Sequence, residues 1–242
     1  MFDIIQTNID IFIKEVIMQY NIEGGSLPVV ICNLEVGETL ITEGGAMSWM
    51  SSNIVMETVG QSVGKALGRL VSGESLFLNK YTATGPNASV AFASSFPGSL
   101  IPIQITEGSS MVVQKSGFLA SESGVELSTA YKKKISASLF GGEGFFMQKL
   151  TGNGTAFIEI DGHAHMQELA PGEVLYINTG YLAMMDSTVT MEVEMVKGVK
   201  NIFLGGEGLF NTKVTGPGRV WIQSMPIPQF AQSLSRYIPS KG

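Results

Sequence analysis

Apolar and polar side chains alternate along much of the chain. "IVMET" (54–58), "VELST" (125–129) and "VTMEVEM" (189–195) all show this period of two, the mark of strands with one buried face. Glycine-rich stretches such as "TGNG" (151–154) and "TGPG" (215–218) supply turn chemistry between them. The pattern predicts a hairpin with strands at 145–151 and 155–160, and the same hairpin again in "GLFNTKVTGPGRVWIQS" (208–224). Helical spacing occurs in two places. "SVGKALGRLV" (62–71) puts Val63, Ala66, Leu67, Leu70 and Val71 on one face, and "PQFAQSLSRYI" (228–238) spaces Phe230, Leu234 and Ile238 by four.

The chain also repeats itself. "GGEGLFNTKVTGPG" (205–218) matches "GGEGFFMQKLTGNG" (141–154) at nine of fourteen positions, and "SGESLFLNKYTATG" (72–85) is a more divergent version. Gly37, Gly108 and Gly172 are offset by 71 and 64 residues, and Gly73, Gly142 and Gly206 by 69 and 64. Two independent anchors therefore give one period. The expectation is an all-β chain of three similar β-sandwich-like repeats, about 22–90, 91–157 and 158–224, in a pseudo-threefold arrangement with one or two short helices. They form a single β domain over 18–240, with a short C-terminal helix at 228–238 and residues 1–17 as an N-terminal extension before Met18.

Composition narrows the function classes. At 242 residues the chain can bury a sizeable core without staples. Only 15% of residues are charged and 29 are glycine, which suits short strands and tight turns. A net charge of −6 argues against nucleic acid as a partner, since a binder normally carries a basic surplus. The single cysteine, Cys32, excludes an internal disulfide framework and a Cys-rich zinc site, and a reducing, cytoplasmic location fits. No apolar run reaches the length of a membrane-spanning helix.

Taken with the three loops, the motifs "GAMSWM" (45–50), "GESLFLNKYTA" (73–83), "GFLASESGVELST" (117–129), "PGE" (171–173) and "GGEGLFNTKVTGPGRVWIQS" (205–224) carry a family resemblance. From about Met18 to Arg236 the chain resembles the altered-inheritance-of-mitochondria family, a domain of unknown function in bacteria. The resemblance implies repeats with a β-sandwich fold like that of the tryptophan RNA-binding attenuation protein. It supplies no catalytic activity. Eukaryotic relatives are associated with organisation of the mitochondrial inner membrane, which implies scaffolding.

Candidate chemistry is sparse. His163 and His165, with Glu168 following, are the candidate metal ligands, because side chains at i and i+2 share a strand face and the pattern is similar to the first metal motif of cupins. The GGEG loops invite a phosphate, but Glu74, Glu143 and Glu207 inside them oppose it. No serine sits in a nucleophile elbow, and Cys32 lies within the apolar "VVICNLEV". Basic residues precede each loop: Lys65 and Arg69, then Lys132, Lys133 and Lys134, then Lys197 and Lys200. Gathered on one rim they could meet an anionic membrane or an acidic partner, and scattered they are a solvated charge run. The expected function is a non-enzymatic structural or interaction protein, homo-oligomeric and without a cofactor. The alternative is a small-ligand or metal-binding sandwich, a candidate enzyme, using the His163/His165 strand.

Overall fold

A computed structural model describes residues 18–43, 45–60, 77–133, 144–195, 210–235 and 237–238. The N-terminal extension at 1–17, the helix expected at 62–71 and most of the three glycine loops lie outside the described residues. Within them the chain is all-β, with one short α-helix.

After β1 (Gln19–Glu23) the strands come in three groups of six. The first holds β2 (Val29–Leu34), β3 (Thr39–Glu43), β4 (Met47–Met50), β5 (Ile54–Gly60), β6 (Phe77–Ala83) and β7 (Ala88–Ala93). The second holds β8 (Gly98–Ile105), β9 (Met111–Gln114), β10 (Phe118–Glu122), β11 (Val125–Lys133), β12 (Phe145–Gly152) and β13 (Gly154–Asp161). The third holds β14 (Ala164–Leu169), β15 (Val174–Asn178), β16 (Leu182–Asp186), β17 (Thr190–Met195), β18 (Phe210–Thr215) and β19 (Gly218–Gln223). Helix α1 (Ile227–Ser235) follows, close to the stretch with helical spacing.

Every group pairs in one antiparallel pattern. Its first strand lies on its sixth and the sixth on its third, while its fourth lies on its fifth and the fifth on its second. Two further pairings join the groups: β3 with β10, and β9 with β16. The sheets that result have the orders β1-β2-β7-β4, β5-β6-β3-β10-β13-β8, β11-β12-β9-β16-β19-β14 and β15-β18-β17.

Three apolar cores fill the spaces between successive sheets. Val30, Cys32, Tyr81, Phe92 and Phe157 meet in the first, Ile105, Val113, Leu150 and Ile158 in the second, and Phe145, Met147, Leu182 and Val214 in the third. Each aliphatic, Met or Phe side chain among them contributes about 1.5–3 kcal/mol of transfer free energy when fully buried. Strand β13 serves two cores at once, sending Phe157 to one side and Ala156 and Ile158 to the other. A strand covered on both faces reads as a near-continuous apolar run, and "TAFIEI" departs from it only at Thr155 and Glu159.

The expected hairpins are corrected. Strands exist at 145–152 and 154–161, but β12 and β13 belong to different sheets, and β18 and β19 are separated likewise. "TGNG" and "TGPG" are corners that carry the chain from one layer of the sandwich to the other. The true antiparallel neighbours are β11 with β12 and β17 with β18, joined through the GGEG loops. Backbones crowd at the corner. Gly152 has φ of 98°, and a Cβ there would fall 2.2 Å from the Gly124 carbonyl oxygen, so no side chain fits.

A side chain at the end of each third strand secures each corner. Ser51 Oγ accepts from the Ser89 N–H at 3.0 Å, the Glu122 carboxylate from the Thr155 N–H, and Asp186 Oδ2 from the Arg219 N–H at 2.8 Å. The third is the strongest, because Arg219 also forks onto Asp186 through Nε and Nη2, both at 2.9 Å, and lies over the Trp221 ring. Partial burial alone would raise the Asp186 pKa, but the hydrogen bonds and charge of Arg219 bring it below the ordinary 3.8. A carboxylate with a depressed folded pKa adds stability above the unfolded value and loses it as pH falls through the folded one. Asp186→Asn should therefore lower the melting temperature at pH 7 by roughly 2–4 °C, the shift that about 1 kcal/mol gives in a chain of this size, after allowance for screening of a partly exposed pair. Melting curves should show this gap narrowing as the pH is taken below 3.8.

Candidate interaction surface

The ends of sheets expose unpaired backbone donors and acceptors, which proteins usually guard with charge or proline. Among the described residues the sheets present eight edge strands. Six are guarded: β1 by Glu23, β5 by Glu57, β8 by Pro102, β11 by Glu126 and Lys132, β14 by Glu168, and β17 by Glu192 and Glu194. The other two are β4, "MSWM", and β15, "VLYIN". Neither holds a charge or a proline.

Both unguarded edges are also apolar and open. Trp49 is 50% exposed and Met50 38% on β4, and Val174 is 43% and Tyr176 59% on β15. Strands in the same places in the other groups, β10 and β16 or β3 and β9, are buried through most of their length. Such a strand can bind another strand through main-chain hydrogen bonds while its side chains select the partner. The sequence did not single these residues out, because nothing in "MSWM" or "VLYIN" says which strand ends a sheet. Their one visible signal is the absence of charge and proline.

The candidate metal ligands lie at the start of β14 and within it. His163 precedes β14, held by its N–H donating to Ser224 Oγ at 2.8 Å, while His165 lies within the strand. Glu168 is three residues beyond His165 and so on the opposite face of β14. All three are exposed. Among the described residues no three His, Cys, Asp or Glu side chains are grouped to hold a metal ion.

Of the basic candidates, Lys132 and Lys133 end β11, and Lys65, Arg69, Lys134, Lys197 and Lys200 lie outside the described residues. Lys132 Nζ stands 5.4 Å from the Phe146 ring centre and Lys115, which the sequence did not mark, 5.6 Å from it. That pair is a cation–π cluster on one aromatic ring. Cys32 is buried in the first core, where desolvation, with the nearby Glu122 charge, pushes its thiol up to about 12. No thiolate forms there near neutrality. No helix among the described residues is long and apolar enough to cross a membrane.

Replacing His163 and His165 together with alanine should leave the melting temperature within about 1 °C, since exposed positions tolerate such changes. Metal content by plasma emission should also be unchanged. Stoichiometric iron, manganese or zinc lost in the double variant would contradict the surface placement.

Comparison with known proteins agrees with this architecture. An uncharacterized protein of Streptococcus pyogenes serotype M6 is 26% identical over 252 residues, covering all of both chains. The crystal structure of a Streptococcus pyogenes protein superposes with a TM-score of 0.75 at 25% identity, covering 91% of this chain and 100% of that one. The model of the family described as mitochondrial biogenesis AIM24 matches residues 20–225, and with most of its length inside that match the chain belongs to the AIM24 family.

Proposed function

We propose that this protein is a non-enzymatic structural protein that acts by binding protein partners through its sheet edges. The observation that carries the reading is the contrast between six guarded edges and the two uncharged, apolar, open edges β4 and β15. A scaffold needs directional docking sites, and a bare sheet edge is one. The chain is read as three copies of one six-stranded unit, which the common pairing pattern and the matching bulges in β4, β10 and β16 support. Contact with an anionic membrane has narrower support, because Lys132 is the one candidate cation whose surroundings are defined, and it lies against Phe146. A cytoplasmic location goes with the reading, supported by a lone, buried cysteine.

A photo-crosslinking amino acid placed at Trp49, at Tyr176 and, as a control on a guarded edge, at Glu57 tests this in the producing cell. Irradiation should yield covalent protein adducts from the first two positions and far fewer from the third. Equal labelling at all three, or none at any, would overturn the reading.

A further inference from the structure

The chain displays, twice, what belongs on its open edges. The second strand of one group pairs with the third strand of the next, β3 on β10 and β9 on β16. The third group's second strand is β15 and the first group's third strand is β4, and among the described residues neither pairs across its outer edge. We propose that β15 of one molecule pairs antiparallel with β4 of a second copy of this chain, repeating the joint between molecules. This rests on the reading of the edges as docking sites and names the partner.

The register follows from the internal joints. Each fifth strand carries a lysine (Lys80, Lys149 or Lys213) that lies opposite Ile41, Val112 or Tyr176, which makes these three equivalent. Each third strand has its extra residue at one place, between Met47 and Trp49, Phe118 and Ala120, or Leu182 and Met184. Met50, Ser121 and Met185 are therefore equivalent, and so are Trp49, Ala120 and Met184. At the internal joints Ser121 faces Ile41, Met185 faces Val112 and Met184 faces Val113. Transferred between molecules, Met50 faces the second copy's Tyr176 and Trp49 its Ile177.

Burial points the same way. Ile41 and Val112 are each 6% exposed and Tyr176 59%, while Ser121 and Met185 are 0% and 3% exposed and Met50 38%. The open positions carry side chains suited to a buried contact, since a thioether against an aromatic ring is a favourable pair. Charge raises no barrier, because the two strands have none. The contact joins unlike surfaces, so it is head-to-tail and generates a ring or a filament rather than an isologous dimer.

Light scattering on size-separated full-length protein tests this with Trp49→Lys and Tyr176→Lys, each of which spoils one edge. Wild-type protein should show at least a twofold rise in mass as concentration increases. Each variant alone should stay at the mass of one chain, with a melting curve unchanged from wild type in dilute solution, where the wild type is also a single chain. An equimolar mixture should double to a dimer and stop there, because one intact β4 then meets one intact β15. Met50→Glu and Val174→Glu give the same test should either lysine variant unfold. A wild type that remains a single chain at every concentration, or a single-edge variant that still associates, would overturn the proposal. Photo-adducts at Trp49 and Tyr176 to foreign proteins, from a chain that is monomeric when pure, would remove the self-pairing and leave the docking role standing.

Discussion

Backbone hydrogen bonding between β3 and β10, and between β9 and β16, makes one body of three strand groups. Without these joints the six-stranded sheets would each fall into two three-stranded halves, and no strand pairing would link one group to the next. The joints are short, with Leu40 and Ile41 facing Glu122 and Ser121 in one, and Met111, Val112 and Val113 facing Asp186, Met185 and Met184 in the other. Their strength comes from where they sit, because the residues at their centres are buried and their side chains feed the cores on both faces of the sheet. A hydrogen-bonded ladder away from water is costly to break, since each parted group would be left without a partner.

The corners follow from this constraint. A group whose halves lie in two sheets must pass its chain from one to the other several times, and one of these passages lies between its fifth and sixth strands at the glycine-rich turns. Ser51, Glu122 and Asp186 accept hydrogen bonds from backbone N–H groups near the start of the departing strand, so three different side chains hold the three corners. The common element is an oxygen acceptor within reach of one backbone N–H. The docked α1 uses the same device, with the Ile227 N–H donating to Asp161 Oδ2 at 3.0 Å, and burial raises the pKa of that carboxyl.

Much of the strand content was legible. The alternation in "VELST" and "VTMEVEM" gave β11 and β17, which have one face toward a core and one toward solvent, and "IVMET" gave β5, where Ile54 is buried and Val55 and Met56 are both exposed. The strands on either side of "TGNG" were also readable, but their partners were not. Local turn chemistry looks alike in a hairpin and in a corner between sheets, and the difference lies in pairing partners tens of residues away. Trp49 and Tyr176 were illegible for a related reason. A tryptophan or tyrosine in an apolar stretch reads as core, and only the sheet order shows that nothing in the described chain lies beside it. The histidine pair was legible as an exposed feature at the start of β14, and the sequence alone does not say what else lies near it.

Among the described residues β4 and β15 each pair on one side only. Hydrogen–deuterium exchange followed by mass spectrometry, on wild-type protein at low and at high concentration, reads those edges directly. Peptides spanning Met47–Met50 and Val174–Asn178 should exchange quickly in dilute solution and become protected together as concentration rises. The guarded edges β8 and β14 should exchange alike at both. Exchange at β4 and β15 that does not change with concentration, or protection that appears on one of them and not the other, would contradict the account.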